Sequence, residues 1–110
     1  MEHLDYDTLN TLKQVMEDDF ALLIDTFVQD SSDRIQTLRK VITGTEADLI
    51  RRAAHSFKGS SSNIGAPQLS SLCSALEKKV LANNFNGLAD DLHAIEHEFA
   101  QVEILLRAYS

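Results

Sequence analysis

Residues Arg51 to Gly65 read RRAAHSFKGSSSNIG. With the two residues before them they carry a stripe of Leu49, Ile50, Ala53, Phe57, Ser61 and Ile64, which recurs at the three-and-four spacing of an α-helix. Three features are out of place in a helix built only to pack. Gly59 in its middle costs about 1 kcal/mol relative to alanine. Ser60, Ser61 and Ser62 follow, and serine is a weak helix former because its hydroxyl competes for backbone groups. Finally, His55 lies about 200° around the helix from both Ala53 and Phe57, so it is expected to face solvent.

Helical spacing extends outward on both sides. Before this segment, Leu9, Leu12 and Met16 predict a short first helix capped by Asp5 or Asp7. Phe20, Leu23, Ile24, Phe27, Val28, Ile35, Leu38 and Ile42 predict a long second helix closed by Gly44. The acidic run Glu17-Asp18-Asp19 between them reads as a break and a solvated cap. Thr45, with Asp48 three residues on, is placed to cap the third helix. Gly65 should end that helix, and Pro67 suits the first turn of a fourth, where a missing N–H costs nothing. The fourth carries Leu69, Leu72, Cys73, Leu76 and Val80 and stops at Asn83-Asn84. In the fifth, Leu88, Leu92, Ile95, Phe99, Val102 and Leu106 keep a strict four-three alternation, a bundle-type seam. No segment reads as a strand. The expected fold is all-α: an antiparallel four-helix bundle with a short N-terminal capping helix, in a single domain over residues 1–110.

Composition narrows the function. Of 110 residues, 44% are apolar, enough for a core without disulfides or metal. Cys73 is the single cysteine and has no partner, which fits a reducing, cytoplasmic setting. The N-terminus lacks the basic and apolar regions of a signal peptide, and no apolar run approaches the roughly 18 residues of a membrane span. A net charge of −7 argues against nucleic acid, whose affinity depends on cations that neutralise phosphates.

Against that acidic background, Arg51, Lys58, Gly59 and Ser62 share the outward face with His55, at i−4, i+3, i+4 and i+7. A neutral imidazole nitrogen can attack a phosphoryl group and hold it as a phosphoramidate. Lys58 can offset the charge gained, and Gly59 leaves room for a partner's active site. Glu77 enters by register. It lies ten residues beyond Pro67, and His55 lies nine before Ile64, so antiparallel helices place the two at about one level. A carboxylate there can orient the ring through its other N–H. Arg51, Arg52, Ser62 and Lys78 are the candidate partner-binding residues, their cations suited to an acidic docking pocket.

The string HSFKGSSSNIGA, His55 to Ala66, resembles the signature of histidine-containing phosphotransfer (HPt) domains, H-x-[LF]-K-G followed by small residues and G-A. His55, Lys58, Gly59, Gly65 and Ala66 match, with Phe57 in place of the more usual leucine. LSSLCSALE, Leu69 to Glu77, is similar to the family's fourth helix, and the likeness spans essentially the whole chain. The resemblance implies a phosphorelay intermediate without kinase activity of its own. His55 would take a phosphoryl group from a receiver's aspartyl phosphate and pass it to another receiver. The implied partners are a hybrid sensor histidine kinase and response-regulator receiver domains, with Mg²⁺ supplied by the receiver and no cofactor on this chain.

Two other functional classes fit the sequence less well. A helical interaction module would bind receiver or helix partners without chemistry, and it leaves the exposed His55, Lys58 and Gly59 without a purpose. A metal-dependent hydrolase on a bundle needs Glu-x-x-His motifs on two helices, and no matching pair occurs. His93 and His97 are spaced i, i+4 but fall off the apolar seam and lack a third ligand. Cys73 lies on a core stripe, and His3 sits in a terminus expected to be loose. All the apolar stripes are consumed in one bundle, so the chain is expected to be a monomer.

Overall fold

The computed structural model describes residues 2–110. Helix α1 spans Tyr6–Met16, a 3-10 turn covers Glu17–Asp19, and α2 runs Phe20–Val41. Helices α3, α4 and α5 occupy Ala47–Ile64, Pro67–Leu81 and Leu88–Tyr109. No strand occurs among the described residues. Helices α2 to α5 form the expected antiparallel bundle. Its core holds Ile24, Leu38, Ile50, Phe57, Leu69, Leu76, Ile95, Val102 and Leu106, each nearly inaccessible. The six seam residues of α5 are all buried.

Helix α1 covers one end of the bundle. Asp5 is its N-cap, accepting from the Asp7 and Thr8 amides. The backbone N–H of Asp5 also donates to the Gly65 carbonyl at 2.7 Å, which ties the start of α1 to the α3–α4 turn. Gly65 makes that turn with φ at 84°, a conformation open to glycine, and an added Cβ would stand 3.1 Å from Thr8. Leu4 and Leu9 bury themselves in the end of the core. At the C-terminus Tyr109 packs against Tyr6 and Phe20, with the Lys13 ammonium over its ring. The bundle is thereby closed by α1 and the last turn of α5 together.

Several local expectations are corrected. The Glu46 backbone, not the Thr45 side chain, opens α3, and no side chain caps it. Gly44 does not close α2 in a left-handed turn: the positive-φ glycines are Gly65 and Gly87, and α2 ends through Ile42. The buried face of α3 is Ile50, Ala54, Phe57, Ser61 and Ile64, whereas Leu49 is exposed and Ala53 half-buried. The helix is therefore rolled from the expected orientation: Ala54 is fully buried, and Ala53 packs at the edge of the core. Of the three serines only Ser61 is buried. Across the α3–α4 contact the Ser70 hydroxyl of α4 donates to the Lys58 carbonyl at 3.1 Å.

Candidate functional site

Phe57 fixes the base of the site. It is fully buried two residues after His55 and stacks edge-on against Phe99 of α5, with ring centroids 6.4 Å apart. With that face anchored, His55 is carried to the surface, and 60% of its side chain is exposed. The roll of α3 tips the ring towards α4 instead of straight outward.

Glu77 meets it there. Its Oε2 lies 2.7 Å from His55 Nδ1, and its Oε1 lies 2.6 Å from Lys58 Nζ. An ionised carboxylate only accepts, so Nδ1 carries the ring proton and donates it to Glu77. In the neutral ring Nε2 then keeps the lone pair, on a side chain that is 60% exposed. The Lys58 ammonium is the chief reason that the Glu77 carboxyl is held below its ordinary range. Burial opposes this, and the His55 hydrogen bond and charge add to it. Glu77 is thus a buried but ionised acid, 7% exposed, with each oxygen occupied.

The other predicted residues surround this triad. Gly59 lies one turn beyond His55, and a Cβ built on it would meet nothing within 4 Å. The glycine therefore serves no internal packing. Ser62 and Lys78 are exposed. Arg51 and Arg52 both pair with Asp48, at 3.0 and 2.9 Å, so the basic patch is partly neutralised from within α3. The i−3 and i−4 spacing of Asp48 from the two arginines made that pairing readable in the sequence.

On the opposite side of the His55 face lies a feature that the sequence did not disclose. Arg34 of α2 donates from Nε to the Ser56 hydroxyl at 3.0 Å. Beside this contact a mostly apolar cavity of about 280 Å³ opens between α1, α2 and α3, with Leu12, Leu23, Phe27, Ile64 and Asn63 in its walls. The α3 face that carries the imidazole is thus flanked by Glu77 on α4 and, through the Arg34–Ser56 contact, by the rim of the apolar groove.

His93 and His97 are exposed on α5. Among the described residues no group of three or more His, Cys, Asp or Glu side chains could hold a metal ion, and no helix is long and apolar enough to cross a membrane.

The family model described as Hpt domain matches residues 22–105. The chain belongs to the Hpt domain family. The crystal structure of the histidine-containing phosphotransfer protein HptB from Pseudomonas aeruginosa superposes with a TM-score of 0.94 at 39% identity, over 97% of this chain and 93% of that one. A putative histidine-containing phosphotransfer protein from rice gives a TM-score of 0.85 over 96% of this chain and 79% of that one. At 17% identity it speaks for the fold alone. No curated protein matches the chain by sequence. As an Hpt domain the chain is a phosphorelay intermediate, of the family that works between kinases and receiver domains.

Proposed function

We propose that His55 Nε2 is the phosphoryl-carrying atom of this Hpt domain, within one functional unit over residues 1–110. The observation that supports this most is the division of labour on one ring: Nδ1 is engaged by Glu77, while the side chain stays 60% exposed and Nε2 has no hydrogen-bond partner among the described residues. A neutral nitrogen with a free lone pair is the form that attacks phosphorus. A buried anchor keeps that lone pair aimed outward, so little orientation is lost when a partner arrives.

Lys58 and Gly59 complete the site. Lys58 holds Glu77 in place and supplies positive charge near the incoming phosphoryl oxygens, while Gly59 lets the partner's backbone approach. The partners in this reading are the receiver domains of a hybrid sensor histidine kinase and of a response regulator, with Mg²⁺ held on the receiver. The chain acts as a monomeric cytoplasmic shuttle between them. Receivers dock over α2, α3 and α4, with the Leu12–Leu23–Phe27 groove as the apolar part of the footprint and Arg51, Arg52, Ser62 and Lys78 as its polar rim.

Mixing the chain with an aspartyl-phosphorylated receiver tests the reading. Acid-labile, base-stable phosphate should appear on the chain, and His55→Gln should remove it while leaving helical content unchanged. Full labelling of His55→Gln would refute the assignment. Receiver binding without any labelling would favour a pure interaction module.

A further inference from the structure

The inference here rests on His55 Nε2 being the acceptor. When the Nε2 lone pair forms the N–P bond, the P–O bond of the aspartyl phosphate breaks and its electron pair leaves with the receiver's carboxylate. The proton on Nδ1 stays where it is. Both ring nitrogens are now substituted, and the ring carries a formal positive charge. In the return step a receiver carboxylate oxygen attacks phosphorus, the N–P bond breaks, and its electron pair goes back to Nε2. The leaving group is then a neutral imidazole. Were the Nδ1 proton lost in between, the same step would have to expel an imidazolate, a far poorer leaving group.

We propose that Glu77 acts through its charge as well as its hydrogen bond, holding the phosphorylated His55 ring in the Nδ1-protonated, cationic form from which the phosphoryl group departs readily. Glu77 is a positioning residue in this scheme, since it touches the ring and not the phosphoryl group.

The surroundings of the ring make the charge matter. The ionisable side chains on the elements packed around it are mainly cations. Helix α3 contributes Arg51, Arg52 and Lys58, α4 contributes Lys78, and α2 contributes Arg34, whose Nε reaches the neighbouring Ser56. Of the acids there, Asp48 pairs with both α3 arginines and offsets part of their charge, Asp33 accepts from Gln29, and Asp30 lines the groove together with Arg34. Cations nearby favour loss of the Nδ1 proton, and a carboxylate 2.7 Å away favours its retention. Lys58 on the other oxygen, and the lowered pKa that results, keep Glu77 ionised for this task. An amide at position 77 could accept the same hydrogen bond and orient the ring equally well. It could not supply the charge.

The test uses phosphoramidate as a small phosphoryl donor and needs no partner. The ³¹P resonance of the N-phosphorylated ring is followed from pH 5 to 10 in the wild type and in Glu77→Gln. The wild-type titration midpoint should lie at least about one pH unit above that of Glu77→Gln, the scale of shift that a close opposite charge produces. Loss of phosphate to water at pH 8 should be about tenfold slower in Glu77→Gln and should recover at pH 6. Coincident midpoints would overturn the proposal and leave Glu77 as an orienting group only. Should Glu77→Gln not fold, phosphorylated wild type is compared with itself in urea. The folded midpoint should be the higher, and equality would overturn the proposal. Failure of the underlying assignment looks different: no N–P resonance would be found in the wild type that His55→Gln lacks.

Discussion

Lys58 Nζ stands 2.6 Å from Glu77 Oε1, bridging α3 to α4 beneath the edge of the exposed imidazole. The lysine and the histidine share one carboxylate, so the site is a coupled triad and not a histidine with a loose cation nearby. Because Lys58 is the largest cause of the lowered Glu77 pKa, the pair makes stability depend on pH. A carboxyl whose folded-state pKa is depressed contributes stability above its unfolded value, and that contribution disappears as pH falls through the folded value. Lys58→Met is therefore expected to be less stable than wild type at pH 7. The gap should narrow as pH drops below 4.5, the ordinary value for Glu77. Urea unfolding at pH 7, 5 and 3 measures it, and a gap that stays constant would show that Lys58 stabilises by packing alone.

Gly59 presents a conflict between fold and function that one variant can expose. Its added Cβ meets open space, so alanine should fit without strain and stabilise α3 by about 1 kcal/mol. For a domain of this size that corresponds to a melting temperature about 4 °C higher. The same methyl stands on the face where a receiver is proposed to dock. Gly59→Ala should therefore melt later yet exchange phosphoryl with a receiver more slowly, while phosphoramidate labels His55 at the wild-type rate. A variant that is both more stable and equally fast would remove the reason for a glycine here.

The bundle was legible because its apolar periodicity is long and uninterrupted: all six α5 seam residues and both glycine-proline signals at the α3–α4 turn fell where expected. Glu77 was legible for a related reason, since register in an antiparallel hairpin is arithmetic. Rotation about the helix axis was harder. Leu49 and Ala53 are apolar and well spaced, but Ala54 is as small as Ala53, and which of them is fully buried depends on how α3 settles against α2 and α4. The groove between α1, α2 and α3 was invisible because Leu12 and Leu23 read as ordinary core residues. Only packing shows that the two remain half-open at its mouth.

That groove yields a prediction separable from the chemistry. Leu23 is half-buried, on the opposite flank of α3 from Glu77. Leu23→Glu places a charge where the receiver's apolar side chain is expected to seat, at little cost to the fold because the position is partly wet already. Transfer from a phosphorylated receiver should need at least tenfold more receiver to reach half its maximal rate, the loss expected when a central apolar contact is removed. Direct labelling of His55 by phosphoramidate should not change. Equal loss in both assays would mean that the substitution had disturbed the site itself.

His3 was expected to lie in a loose terminus, yet its Nδ1 is 2.7 Å from Glu98 Oε2 on α5. Glu98 is 3% exposed, and among the described residues His3 is its one hydrogen-bonding partner. A buried carboxylate needs such a partner, which explains why the chain preceding α1 is held against α5. His3→Ala should strand Glu98 and cost about 1–3 kcal/mol in urea unfolding. Replacing both ends, His3→Ala with Glu98→Leu, removes the stranded charge along with its partner and should recover most of the loss. The two proteins should label His55 at the wild-type rate, because this contact lies on α5 and not in the α3–α4 triad. If the double variant stays as unstable as the single one, what His3 provides is packing of the terminal segment and not satisfaction of the buried acid.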